Sequence, residues 1–470
     1  MLRTASRNLI LQTDSYKFTH WKQYPPGTEF VYSYLESRGG MFGQTLFFGL
    51  QYYLKEYVSG SVVTEDDVVE AQSFVDQHLG PELFNAAGWR HIVTRHGGRL
   101  PVVIKAVEEG SVVDVQNVLM TIENTDPKCW WLPNYLEALL LKVWYPITVA
   151  TLSRAIRQVF LTALERSGAP ALIDFKLHDF GYRGVSSEET AGIGAAAHLI
   201  NFKGTDTVAG IRLLQKYYES REMEAFSIPA AEHSTITAWG RENEGKAYEN
   251  MLTQFPQGLV AVVSDSYNVY EACEKLWGQL LKEKVLARPG TLVVRPDSGN
   301  PREVVLKVLG ILAEKFGYET NHKGYRVLNP KVRVIQGDGV NYWTIQDTLT
   351  AMNRAGWSAD NITFGMGGAL LQQLNRDTQK FAFKCSNVTI AGEDRDVFKD
   401  PVDGHDKASK RGRLALHFRD GAWGTVRTSR GLEDQEDRLQ TVFRDGEILV
   451  TQSVAHVREK ASQGTVRPAG

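Results

Sequence analysis

One phrase recurs from about Asp174 onward: a short apolar run, a turn bearing Gly or Asp, then a helical pattern. The runs are Phe175–Leu177 before HDFGYRG, Leu199–Phe202 before KGTD, Phe226–Ile228 before PAAEHS and Leu259–Val263 before SDS. Leu292–Val294 precedes RPDSGN, Val332–Ile335 precedes QGDG and Ile362–Phe364 precedes GMGG. Strands alternating with helices at intervals of roughly 25–40 residues specify βα units and a parallel sheet. Seven consecutive units fit a closed α/β barrel better than an open sheet, and in such barrels the loops after the strands carry the chemistry.

Local stop and start signals support this phrasing. Asn300–Pro301 with Glu303 reads as an N-cap followed by a first-turn proline, and Ser186 with Glu189 as a capping box. Gly168 and Gly356 follow the helical patterns Val149–Ser167 and Tyr342–Ala355. The flanks read differently. Glu29–Ser37 is strand-like, Asp66–Leu79 an amphipathic helix, Val102–Val107 and Ser111–Ile122 mostly β, and Trp130–Trp144 apolar and helical. Short strands return at Arg413–Phe418 and Gly424–Arg427. The expected architecture is α/β: an irregular parallel barrel over 151–380, and a second mixed α+β domain built from both termini, 1–150 plus about 381–470, with a loose polar tail.

Composition narrows the function classes. With 43% hydrophobic and 23% charged residues the chain is an ordinary globular protein, and a net charge of −2 without a basic block argues against a nucleic-acid arm. The three cysteines, Cys129, Cys273 and Cys385, show no short pair spacing, so neither a disulfide framework nor a structural zinc site is expected. No apolar run of signal-peptide or membrane-span length is evident, and a soluble cytoplasmic protein is the reading.

The loops after the strands are rich in oxygen ligands, glycines and cations. Gly337–Asp338–Gly339, Gly365–Met366–Gly367–Gly368 and Asp297–Ser298–Gly299 are turns that can cradle phosphate with backbone N–H groups, or that simply turn the chain. Arg295 and Asp297 at one strand end are either a grip for an anion and sugar hydroxyls or a salt bridge. Asp206 has its simplest role as a helix N-cap. His233 is open between core residue, acid/base, phosphate partner and metal ligand, the last the weakest without a second histidine at ligand spacing. Phe180 and Tyr16 read as core aromatics.

Taken together, TDSYK (Thr13–Lys17), FKLHDFGYRGVSS (Phe175–Ser187), NFKGTDTVAG (Asn201–Gly210) and PAAEHSTITAWG (Pro229–Gly240) resemble the nicotinamide phosphoribosyltransferase family. VVSDSY (Val262–Tyr267), RPDSGNP (Arg295–Pro301), VIQGDGV (Val334–Val340) and FKCS…FKDP (Phe383–Pro401) extend the resemblance over roughly residues 10 to 450. It implies a dimeric type II phosphoribosyltransferase with active sites at the dimer interface. It further implies transfer of phosphoribosyl from its pyrophosphate to nicotinamide with Mg²⁺, bound mainly through pyrophosphate, and ATP as a co-substrate that phosphorylates His233. By the same resemblance Phe180 and the partner subunit's Tyr16 sandwich the pyridine ring, and Asp206 accepts from the carboxamide. Arg183, Gly337, Gly367 and Gly368, with Asp338 beside them, meet the 5′-phosphate. Arg295 and Asp297 hold the ribose with Asp265 nearby, while Arg38, Arg376, Lys384, Lys399 and Lys407 neutralise pyrophosphate. The Arg38–Thr45 loop is shorter than is usual in the family, Met366 stands in a glycine turn where a small residue is expected, and the stretch before KRGRL drifts around Lys407. Two other readings stay open: a nicotinate-specific enzyme, which Asp206 opposes by charge, and a catalytically silent relative, whose mark would be loss of His233, Asp206, Arg295 or Asp297.

Overall fold

A computed structural model describes residues 8–399, 409–431 and 434–464; Lys407 and residues 465–470 lie outside them. The chain divides into two compact units: Leu152–Gln215 with Ser220–Leu374, and Met1–Thr151 with Lys216–Glu219 and Asn375–Gly470.

The first of these contains a parallel sheet of six strands in the order Gly204–Thr205, Leu177–Asp179, Ile362–Met366, Val332–Gln336, Gly290–Arg295, Gly258–Val263. Its two edges are joined by the segment 226–230. Phe226 bridges Gly204, and Ala230 bridges Ala261, both parallel. Ala261 N donates to Pro229 O at 2.9 Å and Ala231 N to Ala261 O at 2.9 Å. The sheet therefore closes as a seven-membered α/β barrel whose third member is irregular, because Pro229 has no N–H to give to a ladder. All seven runs read from the sequence reach the barrel, with two displacements. Leu199–Phe202 is a buried turn that follows the helix Glu188–His198, with Leu199 as its C-cap, and the strand begins at Gly204. An apolar run of four residues suits a buried helix end as well as a strand. The first strand is Leu177–Asp179, drawn onward because the Asp179 carboxylate finds buried donors, Gly181 N at 2.7 Å and Thr205 Oγ1 at 2.9 Å.

Ala261, Val293 and Ile335 form an apolar floor on which Phe180 and Ile228 pack. Asn300 caps Pro301–Phe316 through Glu303 N, as the sequence indicates. The cap of Glu188–His198 is Ser187 taking Thr190 N, one residue beyond the expected Ser186.

The other unit holds a seven-stranded antiparallel sheet ordered Glu393–Asp396, Phe381–Ile390, Thr28–Ser37, Val118–Asn124, Val102–Val107, Leu439–Arg444, Glu447–Ile448. The three N-terminal strands thus lie at the centre with C-terminal strands on both sides, Leu35 opposite Phe383 and Thr441 opposite Lys105. Glu65–His78 begins in a capping box of Thr64 and Asp67. Trp130–Trp144 is broken into short helical turns rather than one helix. Val454–Gln463 is helical with Ala461 buried, so the described part of the tail is ordered by packing. The stretch Pro127–Ser167 is long and apolar enough to cross a membrane, contrary to the sequence reading; 67% of its apolar window is buried in the protein, as in a core helix.

Candidate active site

Parallel strands leave their following loops on one rim of a barrel, and the residues singled out there from the sequence gather at the strand ends. Phe180 follows Leu177–Asp179 and is tied by its N–H to Met366 O at 3.0 Å. Its half-buried ring lies over Gly365: a Cβ there would meet the ring carbons Cε2 and Cδ2 at 1.9 and 2.2 Å. Gly365 is thus required by the approach of an aromatic ring. Met366, in the same turn by sequence, is a buried strand residue, so the glycine turn proper begins at Gly367.

Asp206 is held by its backbone N–H on Asp179 O at 3.0 Å. Its carboxylate takes no helix N–H. It accepts instead from His178 Nε2 at 2.9 Å and from Ser227 Oγ. Burial pushes this carboxyl up, but the donors from His178 and Ser227, with the charge of Arg295, outweigh it and hold it below the usual range. A charged carboxylate therefore faces the mouth beside Phe180, whose ring centroid is 5.2 Å from that of His178.

His233, the first residue of a short helix, places Nε2 2.9 Å from Asp265 Oδ1; the imidazole is 46% exposed and Asp265 only 5%. The other Asp265 oxygen takes Ser298 Oγ at 2.6 Å. A carboxylate can only accept, so Nε2 carries the proton and a neutral ring has its lone pair on Nδ1. Arg295 and Asp297 approach to 3.8 Å, and Arg295 Nε is buried without a partner. Burial raises the Asp297 carboxyl above its ordinary value, opposed by Arg295 and His233 and assisted by Asp265 and Asp338. A Cβ on Gly337 would stand 2.4 Å from Asp297 Oδ1, so any side chain there would displace the carboxylate. Asp338 and Arg183 are exposed, and among the described residues Arg183 has no ion-pair partner. Gly367 and Gly368 are half-buried beside Gly184, whose Cβ would come 3.4 Å from Gly368. One rim thus carries a flat apolar wall, a charged hydrogen-bond acceptor, an unpaired guanidinium N–H and a tautomer-fixed histidine.

The nicotinate phosphoribosyltransferase family model matches residues 175–447, and the model for the nicotinamide phosphoribosyltransferase N-terminal domain matches 8–104. Nicotinamide phosphoribosyltransferase of Xanthomonas campestris pv. campestris (strain 8004) is 52% identical over 97% of this chain and 98% of its own. The chain belongs to the nicotinamide phosphoribosyltransferase family. The Acinetobacter baylyi member is 30% identical over 97% of both chains. The solved nicotinate-nucleotide pyrophosphorylase of Pyrococcus furiosus shares the fold, with a TM-score of 0.60 at 15% identity, covering 98% of this chain and 97% of that one. Membership makes the protein a pentosyltransferase of pyridine nucleotide biosynthesis.

The remaining residues that the family resemblance singles out lie in the unit built from both termini. Tyr16 is 59% exposed, with its ring centroid 4.7 Å from that of His20. Arg38 donates from Nε to the buried Glu36 at 2.9 Å, and its Nη2 is buried without a partner. Lys410 pairs with the other Glu36 oxygen. Lys384 is exposed on its strand, Arg376 pairs with Asp377 at 3.2 Å, and exposed Lys399 is held through its backbone by Ser409. Sequence reasoning missed His178, Ser227, Ser298, Glu36 and Lys410. His178 and Ser298 stood within the family phrases and Ser227 within the run Phe226–Ile228, all polar residues at strand ends; Glu36 and Lys410 carried no local signal.

Proposed function

We propose that this transferase joins nicotinamide to C1′ of 5-phosphoribosyl 1-pyrophosphate, giving nicotinamide mononucleotide and pyrophosphate. The observation that carries this reading is the pairing of the Phe180 ring with the charged Asp206 carboxylate at one mouth, which suits a flat, neutral amide. Nicotinate would bring its own carboxylate to Asp206, at a cost of about 4 kcal/mol for charges ~4 Å apart at an effective dielectric of ~20.

In the reaction the C1′–O bond to pyrophosphate breaks as the pyridine nitrogen lone pair forms the new bond to C1′. That nitrogen carries no proton to lose, so no general base is needed. Positive charge develops on the ribose and negative charge on the departing pyrophosphate. Asp297 faces the ribose cation and Arg295 the anion, with Arg183, Gly337, Asp338, Gly367 and Gly368 around the 5′-phosphate. In a homodimer with shared sites, the partner subunit's Tyr16 covers the other face of the pyridine. Arg38, Arg376, Lys384 and Lys399 neutralise pyrophosphate there.

The carboxylates of Asp265, Asp297 and Asp338 would suit a hard divalent cation: burial raises the Asp297 carboxyl, the charges of Asp265 and Asp338 add to the rise, and a cation would oppose both. Mg²⁺, held mainly through the pyrophosphate, would supply charge neutralisation of the leaving group. ATP acts through His233: Nδ1 takes the γ-phosphoryl group, ADP leaves, and water later cleaves the phosphohistidine. The cytoplasm is the compartment assigned, in keeping with free thiols at Cys129, Cys273 and Cys385.

The test is product formation by purified protein with phosphoribosyl pyrophosphate and Mg²⁺, offering nicotinamide or nicotinate, with and without ATP. Nicotinamide mononucleotide formed in stoichiometry with pyrophosphate, at a kcat/KM at least tenfold above that for nicotinate, is expected. Preference for nicotinate, or turnover of neither, overturns the assignment.

A further inference from the structure

Four side chains far from the barrel chemistry in sequence converge in the unit built from both termini. The helix Ala86–His96 carries His91 in its last turns and ends on His96, where Gly97 turns the chain in the left-handed conformation. Five residues apart, these histidines would not share a helix face, but the terminal position lets His96 swing to the same point. Both present Nε2 to one atom, Asp126 Oδ2, at 2.7 Å each. The other Asp126 oxygen is committed to Lys128 N at 2.8 Å, and its carbonyl takes Cys129 N at 2.9 Å and Asn124 Nδ2 at 2.9 Å. This turn is fixed by its own hydrogen bonds, and it delivers Cys129 to the same place. One donor atom from each of the four residues lies within 4.8 Å of the other three.

An ordinary ion-pair cluster explains the two histidines on one carboxylate. It does not explain a buried thiol with no hydrogen-bond partner among the described residues closing the fourth side. Two imidazole nitrogens, one carboxylate oxygen and one sulfur form a tetrahedral zinc donor set, with bonds of about 2.0–2.3 Å. Donors at the corners of such a tetrahedron lie ~3.3–3.8 Å apart, between the 2.7 Å contacts and the 4.8 Å limit found here. A thiolate and two imidazoles disfavour Mg²⁺ and Ca²⁺, which take oxygen. His91, His96 and Asp126 keep 23%, 25% and 18% of their side-chain surface, which leaves an entry path from solvent, while Cys129 closes the inner side.

We propose that His91, His96, Asp126 and Cys129 form a structural Zn²⁺ site that ties the end of the helix Ala86–His96 to the turn following the strand Val118–Asn124. On binding, each neutral imidazole moves its proton from Nε2 to Nδ1 by exchange with solvent and coordinates through the freed Nε2. The thiol releases one proton to solvent per ion bound, and no oxidation is involved. The cysteine spacing gave no sign of this, because only one of the ligands is a cysteine.

Co²⁺ is the probe, since it reports tetrahedral geometry and thiolate ligation by absorbance. Full-length protein is stripped with chelator, kept free of Mg²⁺ and titrated with Co²⁺, then with Zn²⁺ in competition. One equivalent of Co²⁺ giving intense tetrahedral bands and a thiolate charge-transfer band, both removed by Zn²⁺, is expected. Cys129→Ser should lose the charge-transfer band, and His91→Gln should bind at least tenfold more weakly. The unfolding temperature should rise with Zn²⁺ in the wild type and not in His91→Gln. Absence of saturable binding by the wild type, a weak octahedral spectrum, or a charge-transfer band unchanged in Cys129→Ser overturns the proposal. The wild-type spectrum decides this even if a variant fails to fold.

Discussion

The Phe180 ring rests on the bare Cα of Gly365, at a separation that leaves no room for a methyl group. Gly365→Ala should therefore move the ring off its seat, with a stability loss of about 1–3 kcal/mol from overpacking. The KM for nicotinamide should rise on the order of tenfold. The double variant Gly365→Ala, Phe180→Leu should recover the stability by removing the overlap but not the affinity, as urea unfolding and steady-state kinetics would show. Unchanged nicotinamide KM in Gly365→Ala would exclude Phe180 from the pyridine pocket.

Asp206 is expected to set amide over acid. Asp206→Asn keeps a hydrogen-bonding group and removes the charge, so nicotinate should become a measurable substrate, with discrimination falling by at least tenfold. If kcat/KM for nicotinate stays undetectable in folded Asp206→Asn protein, selection resides elsewhere.

His233→Ala should abolish ATP hydrolysis and severely weaken phosphoribosyl transfer. A phosphorylated histidine adds charge comparable to that on phosphoserine, roughly −1.5 to −2, and His233→Glu supplies part of it without a transferable group. That variant should keep some transfer activity and hydrolyse no ATP. Equal ATPase rates in wild type and His233→Ala would leave His233 a structural loop residue.

A shared active site predicts complementation between two inactive variants. Mixed subunits of Tyr16→Ala and Asp206→Ala should regain part of the activity, because one site of the heterodimer is intact. Light scattering on the wild type should give a dimer; a fully active monomer would contradict the arrangement.

Lys176 is buried and donates to three carbonyls, Ala359 and Ile362 at 2.9 Å and Asp360 at 3.1 Å. Burial pulls its pKa down to about 7 from 10.5. Between these values the unfolded chain holds a proton that the folded one does not, so this residue makes stability rise with pH. Lys176→Met should cost about 3 kcal/mol by orphaning the carbonyls. The gap between wild type and variant should widen between pH 7 and 9, by at most about 1.4 kcal/mol per pH unit. A gap independent of pH in urea unfolding would show that the lysine stays charged when folded.

Features that depend on neighbours within a few residues were legible in the chain itself. The Asn300 cap with Pro301, the strand runs Leu259–Val263 and Ile362–Phe364, and the family phrases around Phe180, Asp206 and His233 follow from periodicity, turn chemistry and motif. Local ambiguity explains the small displacements, since Leu199–Phe202 serves equally well as the buried turn that closes a helix. What surrounds each site residue was decided only by the tertiary structure. His178 and Ser227 meet on Asp206 because their strand ends become neighbours when the irregular 226–230 segment closes the ring. Glu36, which Arg38 pairs with locally, gains Lys410 as a second cation because the segment around 410 returns beside Thr28–Ser37, where Lys410 N also donates to Tyr34 Oη. His91, His96, Asp126 and Cys129 come together only where a helix end meets a separate turn. Sequence spacing sets the direction of a side chain on its own element; which elements stand side by side depends on how the sheets close.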